Sequence, residues 1–162
     1  MTASGRRILI AVSGSGVERE ARGDLAREVG RLLALRGAVV VCGGMGGTMA
    51  AAAQGAREAG GLTVGLLPGY HAGSANPFID IVLPTGLGHA RNALVAAAGE
   101  AMIALPGGPG TLSEIGNALK LGKTVAGLLA WAEIPGVRYA RTAAEAVDMA
   151  LAGRNTETGR PT

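Results

Sequence analysis

The sequence predicts an α/β fold, a doubly wound, mostly parallel sheet of six to seven strands with helices on both faces. Three observations predict it. Short apolar runs alternate with helix-length segments along the chain. Nearly all of the runs are apolar at every position, not at every second one, which is how strands read when both faces of a parallel sheet are covered. Glycine clusters follow three of the runs, at Ser13-Gly14-Ser15-Gly16, Gly43-Gly44-Met45-Gly46-Gly47 and Gly107-Gly108-Pro109-Gly110-Thr111. Right-handed crossovers between such strands give the Rossmann-like arrangement, in which ligands sit beyond the carboxyl ends of the strands.

Each element follows in order. Ile8–Val12 is the first buried strand. Leu25, Val29, Leu32 and Leu33 then share one helical face, with Arg22, Glu28, Arg31 and Arg36 off it, until Gly37 ends the helix. Ala38–Cys42 is the second strand, Thr48–Ala59 a helix of small residues broken by Gly60-Gly61, and Leu62–Leu67 the third strand. Pro68–Pro77 is the longest irregular stretch. Ile79–Leu83 fits a fourth strand, Gly88–Gly99 a helix, and Ala101–Leu105 a fifth strand. After the Pro106–Thr111 loop, a helix presents Leu112, Ile115, Ala118 and Leu119 to the core until Gly122 closes it. Thr124–Leu129 is a sixth strand and Val137–Ala140 a short seventh. Thr142-Ala143-Ala144-Glu145 has the form of a capping box and opens a last helix to Leu151. One domain spans residues 1–152, followed by a flexible polar tail over 153–162.

Composition narrows the function classes. With 48% hydrophobic and 17% charged residues the chain is globular. It carries 28 glycines but one Trp, two Tyr and one Phe, so the core is built from Ala, Val, Leu and Ile. Two lysines, Lys120 and Lys123, leave thirteen arginines among the fifteen basic residues, for a net charge of +3. These charges are dispersed and few aromatics are present to stack on bases, which disfavours nucleic acid. The single cysteine, Cys42, allows no internal disulfide. No secretory pattern precedes the first strand, and no run approaches the roughly 18 apolar residues of a membrane helix. The expectation is a cytoplasmic protein without membrane contact.

The glycine loops suggest phosphate chemistry. A glycine loop feeding a helix offers unpaired backbone N–H groups and the positive end of the helix dipole, and it lets an anion approach the backbone. The candidate ligand-binding residues are Gly14, Ser15, Gly43, Gly44, Gly46, Gly47, Asn92, Gly107, Gly108, Gly110 and Thr111. Neither the dinucleotide fingerprint nor the P-loop pattern is present. His71, His89 and Cys42 are scattered, so no metal site is expected. Arg91 and Glu114 are the candidate reactive pair, because both face the crevice at the glycine edge. A plainer role competes for Glu114. Thr111-Leu112-Ser113-Glu114 is itself a capping box, and local pattern alone favours that reading.

Leu105-Pro106-Gly107-Gly108-Pro109-Gly110-Thr111-Leu112-Ser113-Glu114 resembles the PGGxGTxxE signature of the LOG (Lonely Guy) family, many of whose members carry a lysine decarboxylase label. Gly43–Met49 is similar to the family's second-strand glycine segment, and His89-Ala90-Arg91-Asn92 to its His-x-Arg-Lys stretch. The resemblance implies a homodimer or larger homo-oligomer. It implies an enzyme that splits a nucleoside 5′-monophosphate into base and ribose 5-phosphate, with Arg91 and Glu114 catalytic, the PGG loop on the phosphate and no cofactor required. Asn92 replaces the Lys, Gly88 the Met before the His, and Ser113 the first Glu of a Glu-Glu ending. These departures look closer to a branch that includes molybdenum cofactor carrier proteins, which bind a pterin phosphate without turning it over. Either way the expected ligand is a phosphorylated small molecule. A decarboxylase built on a pyridoxal phosphate Schiff base is not expected, since neither Lys120 nor Lys123 belongs to the glycine edge.

Overall fold

The computed structural model describes residues 5–18, 22–129 and 133–153. Along the chain lie β1 (Leu9–Ser13), α1 (Gly23–Leu35), β2 (Val39–Cys42), α2 (Thr48–Glu58), β3 (Thr63–Leu67), β4 (Ile81–Pro84), α3 (Arg91–Ala98), β5 (Ala101–Ala104), α4 (Pro109–Lys120), β6 (Val125–Leu128), β7 (Arg138–Ala140) and α5 (Ala143–Ala152). Single 3₁₀ turns at Ala72–Ser74 and Gly88–Ala90 punctuate the irregular stretches. The seven strands form one sheet in the order β4-β3-β2-β1-β5-β6-β7. Every pairing is parallel, from Leu9 beside Val39 to Leu128 beside Ala140.

Alternate strand residues project to opposite faces, and both faces are covered. Ile10, Val12, Val40, Ile103 and Leu128 pack with Val29, Leu33, Ala52 and Val147, which puts α1, α2 and α5 on one side. Ala11, Val41, Met102 and Ala104 pack with Val95, Ile115 and Ala118 of α3 and α4 on the other. Two buried faces are why the central strands contain no alternation of polar and apolar residues. β4 and β7 are the edge strands, and on β4 Ile81 and Leu83 are exposed.

Small residues set the helix spacing on the first face. A Cβ on Gly30 would fall 1.9 Å from the Ala52 carbonyl oxygen, and one on Gly55 1.9 Å from that of Arg27. The backbones of α1 and α2 therefore touch directly. Gly37 and Gly122 end α1 and α4 in the left-handed conformation, at φ 75° and 69°. Thr142 caps α5 by accepting from the Glu145 N–H, while the Glu145 carboxylate accepts from the Arg141 N–H. Beyond α5, the Gly153 carbonyl accepts from the hydroxyl of Thr124, the residue before β6. The remainder of the expected tail lies outside the described residues.

One helix face differs from expectation. Leu112, placed in the core by spacing, is 45% exposed, whereas Thr111 and Glu114 are buried. α4 begins at Pro109, and its rotation turns Thr111, Glu114, Ile115 and Ala118 inward. No helix among the described residues is long and apolar enough to cross a membrane.

Candidate functional site

β1 is flanked by β2 on one side and β5 on the other, so chain direction across the sheet reverses there. The loops that leave these strands diverge to opposite faces and open a crevice of about 380 Å³ at their carboxyl ends. Gly14 to Val17 form one wall, with Met49 of α2 beside them. His89, Arg91 and Asn92 at the head of α3 face them, and Gly108 to Thr111 with Glu114 complete the site from α4.

Ser15 knits the floor together. Its N–H donates to the Pro106 carbonyl and its carbonyl accepts from the Thr48 N–H, both at 2.9 Å. The start of α2 is thus closed by protein. Glycines make this approach feasible, since a Cβ on Gly47 would lie 2.3 Å from the Ser15 oxygen and one on Gly14 2.5 Å from Thr48 Cγ2. Gly43 lies beneath the Arg91 guanidinium, Gly44 packs on Leu67 and Gly65, and Gly46 faces Gly16. This second glycine loop supports the crevice from below and does not line it. Gly107 plays a similar part, with a Cβ there falling 2.0 Å from Thr111 Oγ1.

The head of α4 is open. Pro109 fills the first helical position, where its missing N–H costs nothing. Helix geometry leaves the Gly110 and Thr111 amides without an intrahelical partner. No side chain caps this end. A Cβ on Gly108 would meet nothing within 4 Å, and one on Gly110 only Asn92 Nδ2 at 3.8 Å. An anion could occupy that space, against amides and the positive end of the helix dipole.

Glu114 does not cap. Because α4 starts at Pro109, Thr111 sits inside the helix, and the Glu114 carboxylate turns into the crevice. Its Oε2 accepts from the Ser13 hydroxyl, and Oε1 lies 3.6 Å from Arg91 Nη1. Only 8% of the Glu114 side chain and 11% of the Arg91 side chain are exposed. Burial pushes the Glu114 carboxyl above its usual range, against the Ser13 hydrogen bond and the Arg91 charge, which favour the ionised form. Burial likewise draws the Arg91 guanidinium down, against Glu114. Arg91 Nε and Thr48 Oγ1 are, among the described residues, the buried side-chain polar atoms left without a hydrogen bond.

A polar relay fixes Arg91 from the other side. Nη1 donates to Asn92 Oδ1 at 2.9 Å, Asn92 Nδ2 to Ser113 Oγ at 3.0 Å, and Ser113 Oγ to the Gly110 carbonyl at 2.7 Å. Two of the three departures from the LOG pattern, Asn92 and Ser113, therefore bond to one another across α3 and α4. Cys42 is sealed below, its thiol pushed up to about 11 by burial. The described residues contain no gathering of three or more His, Cys, Asp or Glu side chains fit for a metal. Lys120 is exposed at the far end of α4, and the Lys123 ammonium donates to the carbonyls of Ala96, Ala97 and Gly99. The candidate residues left out Gly16, Val17, Met49, His89 and Pro109, which line the crevice, and the role of Ser13, although Ser13 and Gly16 belong to the first glycine cluster. The available signal for Ser13 was a hydroxyl ending an otherwise apolar strand at the ligand edge.

The family model described as the SLOG cluster4 family matches residues 7–155. The chain belongs to the SLOG cluster4 family. A protein of Archaeoglobus fulgidus described as uncharacterized is 43% identical over 142 residues, covering 88% of this chain and 93% of its own. The rice protein named "Probable cytokinin riboside 5'-monophosphate phosphoribohydrolase LOGL9" is 34% identical over 113 residues. That match covers 68% of this SLOG cluster4 chain and 50% of the rice protein. Among solved structures, the molybdenum cofactor binding protein of Rippkaea orientalis superposes with a TM-score of 0.83 at 33% identity, covering 91% of this chain and 98% of that one.

Proposed function

We propose that this SLOG cluster4 protein binds a nucleoside 5′-monophosphate and hydrolyses its N-glycosidic bond. The observation that carries the reading is the Glu114 carboxylate, freed from the capping role its local pattern suggests and held in the crevice by Ser13 and Arg91. The phosphate sits on the Gly110 and Thr111 amides, which places the sugar over Glu114 one turn into the helix. As the C1′–N bond breaks, its electron pair goes to the base nitrogen. The developing oxocarbenium charge lies against the carboxylate, as in other glycoside cleavage. Water attacks C1′ and gives a proton to Glu114, which passes it on to the departing base. The products are base and ribose 5-phosphate, and water is the only co-reactant. Arg91, beside Glu114 in the crevice lining, orients the carboxylate and the substrate's oxygens. The family resemblance extends the reading to a homodimer or larger homo-oligomer, checked by sedimentation velocity.

The test is chromatographic. Purified protein is incubated with AMP and a panel of nucleoside monophosphates beside a Glu114→Gln control. Release of free base that depends on Glu114 is the expected result. No release from any member would overturn the hydrolase reading.

A second reading, non-catalytic binding of a phosphorylated pterin, has its own support. Asn92, which lines the crevice, and Ser113, bonded to it, depart from the LOG pattern, and the Rippkaea molybdenum cofactor binding protein aligns over nearly its whole length. It expects thermal stabilisation by the ligand with no chemical change in it.

A further inference from the structure

Ser13 closes β1 at its carboxyl end and is 1% exposed. Its backbone carbonyl is spent on the sheet, accepting from the Leu105 N–H at 2.8 Å. Its hydroxyl faces the crevice side and donates to Glu114 Oε2, a residue 101 positions away. The bond is therefore tertiary and has no share in capping a helix. A hydroxyl buried to this degree is costly to leave without a partner, so its presence in a strand of apolar residues calls for the acceptor it has.

The bond makes the two carboxylate oxygens unequal. Oε2 is fixed inward by an O–H donor, while Oε1 stands 3.6 Å from Arg91 Nη1, beyond hydrogen-bond range. A hydroxyl can donate or accept by rotating. It donates to the carboxylate, and when Glu114 holds a proton on Oε2 it can accept that proton's hydrogen bond. Arg91 and the crevice-lining His89 from the α3 side, and Cys42 from β2, are the other titratable or charged groups around Glu114. Arg91 can only donate, and the Cys42 thiol is engaged with the Met49 carbonyl and the Gly44 N–H.

We infer that Ser13 is a positioning residue for Glu114, holding one carboxyl oxygen in either protonation state and leaving the other to the crevice. Its part in turnover rests on the hydrolase reading, whereas the positioning itself does not. The experiment follows the Glu114 carboxyl by ¹³C NMR titration in the parent protein, Ser13→Ala and Ser13→Cys, alongside the pH profile of base release from AMP. Donation to the ionised carboxylate is the stronger of the two bonds, so Ser13→Ala should raise the Glu114 midpoint by about one pH unit, a roughly tenfold gain in proton affinity. Ser13→Cys, a weaker donor, should fall between. The acidic limb of the pH profile should move by the same amount, with kcat reduced more than KM is raised. An unmoved Glu114 midpoint in a folded Ser13→Ala protein would reduce Ser13 to a packing residue and overturn the inference. If the parent releases no base, the hydrolase reading fails while the carboxyl titration still decides Ser13. Should Ser13→Ala not fold, the near-isosteric Ser13→Cys carries the same titration.

Discussion

Glu114 stands three residues after a threonine, where a capping glutamate belongs, and yet its carboxylate reaches Ser13 and Arg91. The reason lies at Pro109. Proline is favoured in the first turn, so the helix starts there and swallows Thr111. That signal was present in the sequence and outweighs the capping pattern. The Ser13 partner was not legible, because only the β1–β5 register brings residue 13 beside α4. Burial leaves the carboxyl titrating above its unfolded value of about 4.5. A raised acid binds its proton more tightly when folded, so its contribution to stability is fully present below that value and lost as pH rises through the folded midpoint. The stability difference between the parent and Glu114→Gln should therefore fall with rising pH above about 4.5 in urea unfolding. A difference that grows instead would mean that Ser13 and Arg91 outweigh burial.

At the scale of elements, hydrophobic periodicity located nearly every strand and helix, because continuous apolar runs and glycine stops are strong local signals. It failed at Leu112, where rotation of α4 about its axis depends on the start at Pro109 and on the sheet beneath. It could not show which strands were edges either, since Ile79–Leu83 reads like its buried neighbours. Glycine within helices is the feature that sequence alone leaves most ambiguous. Gly30 and Gly55 admit no Cβ, each with a carbonyl oxygen 1.9 Å from where one would stand, whereas a Cβ on the exposed Gly116 of α4 meets nothing. Gly30→Ala should destabilise by about 1–3 kcal/mol, since the α1–α2 backbones must part. Gly116→Ala should stabilise by roughly 0.5–1 kcal/mol through helix propensity. Chemical denaturation of the two variants checks both signs at once. The hydroxyl cap of α5 is expected to matter less than the helix crossing, with Thr142→Ala costing about 1 kcal/mol.

The whole molecule matters because no single segment owns the site. The sheet order brings the ends of β1 and β5 together, α3 arrives from the far edge of the sheet, and α2 contributes Met49. The sequence marked the glycine edge, but the division of labour among its loops is a product of topology. The loop after β2 is packed under Ser15 and Arg91, whereas Gly108 and Gly110 face open space. Ligand binding should therefore report on the α4 loop and leave the fold largely alone. A ligand at 100 times its Kd adds about 2.7 kcal/mol, and each kcal/mol raises Tm by roughly 2–4 °C in a domain of this size. AMP at saturation should thus raise Tm by several degrees. Gly110→Val places its side chain in the empty space at the helix head, so it should keep the unliganded Tm and lose the shift. Time adds a second dimension to the same experiment. If the crevice hydrolyses AMP, the parent's shift decays toward that of ribose 5-phosphate during incubation, while the shift of Glu114→Gln persists. If it only holds its ligand, parent and Glu114→Gln keep equal and constant shifts, and the carboxylate has no role in turnover.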